Sequence, residues 1–70
     1  MVEVTREGKA FRVAGEGIER LATMTDLESD EGRAFFARAL ARSGALRKLE
    51  RLGLRAGDVV RVGASEFVYT

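Results

Sequence analysis

Apolar and polar residues alternate at the start of the chain, shift to a helical period in its middle, and alternate again at its end. Val2-Glu3-Val4-Thr5-Arg6 alternates with period two, meets Glu7-Gly8-Lys9, and the alternation resumes in Phe11-Arg12-Val13. Two such runs around a glycine-containing turn predict a β-hairpin. After Gly15-Glu16-Gly17 the period lengthens, and Ile18, Leu21, Ala22 and Thr25 fall at i, i+3, i+4 and i+7. That is the spacing of one helical face, so a short first helix ending near Asp26 is expected.

Ser29 can cap a second helix, because its hydroxyl can accept from the unpaired amides of the first turn while Asp30 and Glu31 place negative charge at the positive dipole end. The helix is expected to run to about Ser43. Phe36 and Leu40 fall at the middle of its apolar face, Glu31, Arg38 and Arg42 form a narrow polar stripe, and Phe35 lies at the edge beside that stripe. Gly44 is placed to close this helix in a left-handed conformation. Ala45, Leu46, Leu49 and Leu52 then mark a third helix that stops at Gly53, with Arg47, Lys48 and Arg51 on its outer face. Asp58-Val59-Val60-Arg61-Val62, a turn at Gly63-Ala64-Ser65, and Glu66-Phe67-Val68-Tyr69 predict a second hairpin, with Val60, Val62, Phe67 and Tyr69 facing inward. The expected architecture is α+β: a β-hairpin, three short helices and a β-hairpin, the strands forming a small, mostly antiparallel sheet packed against the helices. The order lacks the βαβ alternation of a parallel nucleotide-binding sheet.

Seventy residues suffice for one domain, 1–70, with a small core, and no linker, repeat or low-complexity stretch divides them. With 46% hydrophobic and 33% charged residues and no Pro, the chain carries enough apolar surface to fold. It has no Cys and no His, which removes thiolate nucleophiles, disulfides, the usual zinc sites and imidazole bases together. There is neither an apolar run near the roughly 18 residues of a membrane span nor a secretory leader, so a cytoplasmic location without membrane contact is expected. Ten of the twelve basic residues are Arg, and neither Asn nor Gln occurs. This suits a heat-adapted, thermophile source, although GC-rich codons would give the same bias.

Three motifs invite a chemical reading. Gly15-x-Gly17 sits between a strand and a helix, as in a dinucleotide loop, but Arg20 occupies the third glycine position and no second strand follows at βαβ spacing, so a plain turn is expected. Lys9 precedes Ala10 and Lys48 precedes Leu49, where a phosphate-binding P-loop requires Ser or Thr. Asp26, Glu28, Asp30 and Glu31 could pair for acid/base work, yet they lie at a helix start, where the dipole alone favours them. No catalytic, cofactor-binding or metal-binding residue is assigned, and neither an enzymatic activity nor a small-molecule substrate is expected.

The net charge of +1 is balanced, but its distribution is not: residues 1–28 hold four basic and six acidic groups, residues 29–52 six basic and three acidic. Arg38, Arg42, Arg47, Lys48 and Arg51 are therefore the candidate contacts for a partner, RNA in particular, because two consecutive helices could present them together to phosphates. Charge on helix exteriors also serves solubility. Phe35 is the one aromatic placed to join them, although packing against a hairpin is the plainer expectation for it.

Several points along the chain carry a family resemblance. They are Val13-x-Gly15-x-x-Ile18-Glu19-x-Leu21 with Thr25-Asp26, then Gly44 and Gly53 separated by eight residues, and Gly57-Asp58-x-Val60-x-Val62-Gly63 followed by Glu66-Phe67-x-Tyr69. In order and spacing these resemble the C-terminal domain of Obg-family GTPases. The resemblance implies a non-catalytic accessory or regulatory module. Its parent would be a GTP-binding protein concerned with large ribosomal subunit assembly and with growth and stress control. GTP and Mg would then reside in a separate domain of the parent, with no cofactor in this chain. Expected partners are the parent GTPase domain and ribosomal RNA or the large ribosomal subunit. The alternatives are a structural self-association or intramolecular docking module that uses the sheet surface or edge, and a small RNA-binding module that uses the basic helical face.

Overall fold

Two tight turns organise the sheet. Each hairpin loop has two residues and begins with glycine, Gly8 at φ +62° and Gly63 at φ +60°, and no other residue type in the chain has positive φ. This is the signature of a type II′ turn, whose twist matches that of the strands it joins. In this computed structural model, which describes residues 1–70, the first hairpin pairs β1 (Glu3–Glu7) with β2 (Ala10–Ala14). The second pairs β3 (Val59–Val62) with β4 (Ser65–Val68). Between them lie α1 (Glu16–Thr23), α2 (Asp30–Ser43) and α3 (Ala45–Arg51).

The four strands form one sheet in the order β1-β2-β3-β4. Both hairpins are antiparallel, as expected, but the central pair is not: β2 and β3 run parallel, with Phe11 beside Val60 and Val13 beside Val62. The three helices together act as a single crossover that returns the chain to the starting edge of β2 before β3 begins. A sequence scan for strand-helix-strand alternation misses this, because it looks for one helix where three do the work.

All three helices cover the same face of the sheet. From that face Phe11, Val13, Val60, Val62 and Phe67 enter one cluster with Ile18, Ala22, Phe36, Ala39, Leu40, Ala45 and Leu49. Phe36 meets Phe67 edge-on, with ring centroids 5.7 Å apart. No polar or charged residue is buried. At the β1 end the Arg6 guanidinium stacks 5.5 Å from the Phe11 ring and closes the core with a cation instead of a helix.

Helix ends follow their capping residues. Ser29 Oγ accepts the Gly32 N–H at 2.9 Å, and Gly44 adopts φ +88° between α2 and α3. Helix α1 stops at Thr23, short of Asp26, because the Met24 and Thr25 amides turn back to the carbonyls of Leu21 and Ala22 and the Thr25 hydroxyl donates to the Leu21 carbonyl at 2.7 Å. Leu52, expected on the buried face of the third helix, is 38% exposed, and Leu54 in the following loop is buried instead. Phe35, for which packing against a hairpin is the plainer expectation, is 41% exposed and lies outside the core.

Candidate functional site

The candidate basic residues lie on two helices that meet at Gly44. Leu40 and Phe36 anchor the buried side of α2, which leaves Phe35, Arg38 and Arg42 exposed at i, i+3 and i+7 along its outer side. On α3, burial of Ala45 and Leu49 turns Arg47 and Arg51 outward at i, i+4. Lys48 lies between them and reaches away, its Nζ donating to the Val2 carbonyl at 2.8 Å. Arg42 approaches the same N-terminal segment, lining an open groove of about 530 Å³ with Val2, Ile18 and Leu21.

Arg38, Arg42, Arg47 and Arg51 make no ion pair and no hydrogen bond within the chain, whereas Arg6, Arg12, Arg20, Arg33 and Arg61 all do. The division does not follow the elements cleanly: Arg20 and Arg33 are paired on helices, and the Arg55 side chain, in the loop after α3, is also without a partner. On the sheet face away from the helices, Arg12 pairs with Glu7 at 2.7 Å and Arg61 bridges Glu7 and Glu66 at 3.4 Å each. Glu7 is held below its ordinary pKa of 4.5 chiefly by the hydrogen bond from Arg12, which with the charge of Arg12 and the weaker contacts of Arg61 outweighs an opposing desolvation second in size only to that hydrogen bond. For Arg38, Arg42, Arg47 and Arg51 no carboxylate plays that part. Like charges at i, i+4 also occur in each helix, Arg38 with Arg42 and Arg47 with Arg51, an arrangement that costs a helix about 0.2–0.5 kcal/mol per pair.

The acidic cluster does structural work. Asp26 Oδ1 accepts the Glu28 amide at 3.1 Å, Asp30 pairs with Arg33, and Arg33 also donates to the carbonyls of Leu27 and Glu28. The chain has no group of three or more potential metal-ligating side chains. At the Gly15-x-Gly17 turn the Gly15 amide donates to Glu19 Oε2 at 2.9 Å, so the helix's own carboxylate holds the position a phosphate would take. A side chain at position 15 would crowd the Met1 carbonyl at 3.2 Å. The glycine there serves close packing of the first strand's approach.

A family model described as "Domain of unknown function (DUF1967)" matches residues 2–69, nearly the whole chain. The chain belongs to this family, the C-terminal domain of Obg GTPases. Curated relatives agree with the assignment. The Obg C-terminal domain described here is 48% identical over 66 residues to the GTPase Obg of Chloroflexus aggregans, covering 94% of this chain and 15% of that protein. It is 45% identical over 67 residues to the GTPase Obg of Desulforudis audaxviator, covering 96% and 16%, and 43% identical over 65 residues to that of Brevibacillus brevis, covering 93% and 15%. The chain thus spans about 15% of the length of the curated relatives it matches. No solved structure matches it. No helix is long and apolar enough to cross a membrane.

Proposed function

We propose that this chain is a non-catalytic accessory domain of an Obg-type GTP-binding protein. In this reading it serves large ribosomal subunit assembly and growth control by binding ribosomal RNA through the α2–α3 face. The nucleotide chemistry, with GTP and Mg, belongs to the rest of the parent. One observation carries the reading: the arginines on this face lack intrachain partners while those on the sheet are paired. Unpaired guanidiniums, accumulated at a cost in helix stability, suit a ligand that brings its own negative charge, and the forked guanidinium matches phosphate oxygens bidentately. Phe35, exposed beside Arg38, offers a ring on which an unpaired base can stack.

The test is a titration of the chain against purified large ribosomal subunits at two salt concentrations. Four phosphate contacts predict that affinity falls about 100-fold between roughly 50 and 200 mM monovalent salt. Replacing Arg38, Arg42, Arg47 and Arg51 together by Glu is expected to abolish binding without changing the melting temperature by more than a few degrees. Binding that ignores salt, or survives the fourfold reversal, overturns the reading.

A further inference from the structure

The two edges of the sheet are unequal. At the β1 edge the Val2 carbonyl is taken by Lys48 and the strand carries Glu3, Arg6 and Glu7, charges of the kind that discourage strand addition. At the β4 edge nothing from the chain intervenes. The Tyr69 amide donates to the Asp58 carbonyl at 2.8 Å and the Tyr69 carbonyl accepts from Gly57, so Tyr69 faces β3. Antiparallel pairing alternates, so Phe67 and Ser65 also bond to β3, while Glu66 and Val68 turn their N–H and C=O groups outward to the free edge.

A groove of about 200 Å³ runs along that edge, walled on one side by Arg33, Ala34 and Ala37 of α2 and on the other by Phe67, Val68 and Tyr69. Consecutive strand residues point to opposite faces. The joint presence of Phe67 and Val68 in the lining therefore means that the strand's edge, with its unpaired backbone groups, forms the wall.

We propose that the β4 edge is a self-pairing surface on which a second copy of this chain adds its own β4, antiparallel, to make a continuous eight-stranded sheet. The pairing is self-complementary about Phe67. With the two-fold axis there, Glu66 of each copy exchanges both backbone bonds with Val68 of the other, and no like charges stand opposite. Val68, 47% exposed in the single chain, is covered. Shifting the axis by one residue to Glu66 would set carboxylate against carboxylate, which is unfavourable in a cross-strand pair. The small Ala34 and Ala37 let the two α2 helices approach over the seam. Four paired residues per strand bury less than the roughly 800 Å² per partner of a stable complex, so the association is weak, with a dissociation constant of about millimolar order.

Sedimentation of the chain from low micromolar to millimolar concentration, with residue-resolved amide exchange in parallel, tests this. The expected result is a monomer–dimer equilibrium in which Glu66 and Val68 amides gain protection as concentration rises. Val68→Pro removes an edge N–H that makes no bond within the chain, so it is expected to leave the melting temperature nearly unchanged and abolish dimerisation. Val68→Lys and Val68→Glu test the register without touching the backbone: Lys faces Glu66 of the other copy and Glu repels it, so the lysine variant is expected to dimerise about tenfold more tightly than the glutamate one. A chain that stays monomeric at millimolar concentration, a dimer whose newly protected amides lie on β1 or the helices, or protection at Glu66 and Val68 that requires an added unrelated peptide overturns the proposal.

Discussion

Gly32 sits in the first turn of α2, where ordinary helix propensity would favour alanine by about 1 kcal/mol. Its surroundings reverse that preference. A Cβ there would lie 1.8 Å from the Asp26 carbonyl oxygen and 2.9 Å from Ser29 Oγ, because the turn from Asp26 to Ser29 folds back over the helix start. Gly32→Ala is therefore expected to destabilise the chain by about 1–3 kcal/mol, the cost of overpacking, and urea denaturation gives the sign. A stabilised variant would mean that the turn yields freely. Glu7 offers a second test at this scale. Its carboxyl titrates below 4.5 in the folded chain because Arg12 and Arg61 hold the charged form, so its stabilisation is complete above the ordinary carboxylate pKa and disappears as pH falls through the lowered folded value. Melting temperatures measured downward from neutral pH are expected to fall less steeply across the acidic range for Glu7→Gln than for the parent chain.

Among the elements, α2 and α3 meet at a single left-handed residue. Gly44 turns the chain at φ +88° with open space around its Cβ position, so the penalty for replacing it is conformational and owes nothing to contact. Gly44→Ala is expected to cost about 1–2 kcal/mol. Circular dichroism is expected to show unchanged helix content until the melt, since the break is also imposed by the burial of Leu40 and Leu49 on either side. This break was readable in the sequence, as were the Ser29 cap and both hairpins, because each rests on a local rule of period, cap or turn. Leu52 and Leu54 show where such rules end. Both are leucines near the helix terminus, and which one is buried depends on the route the chain takes toward β3, a tertiary fact that no local spacing carries. Phe35 makes the same point at the candidate site: helical phase placed it at the rim of the apolar face, where phase alone does not decide burial, and it is 41% exposed.

For the molecule as a whole, the basic residues were visible as a count in the sequence, but their division into paired and unpaired sets was not. That division depends in part on the sheet: Arg12 meets Glu7 across a single hairpin, but the contact between Glu7 of β1 and Arg61 of β3 joins residues 54 positions apart. The same is true of the parallel central pair. Each hairpin closes through a two-residue loop, so each can form within microseconds, yet neither buries a core alone. The seam between β2 and β3 forms only when everything from Gly15 to Asp58 has been looped out, an entropic cost that must be met before Phe11 and Val60 come together. Substitutions that weaken this seam, such as Val60→Ala, are expected to slow refolding in stopped-flow measurements, whereas changes within the first hairpin's turn are expected mainly to hasten unfolding. Until β3 and β4 have joined β2, the apolar faces of the first hairpin and of the helices lack the partner that covers them, and in that interval they are open to chaperones and proteases.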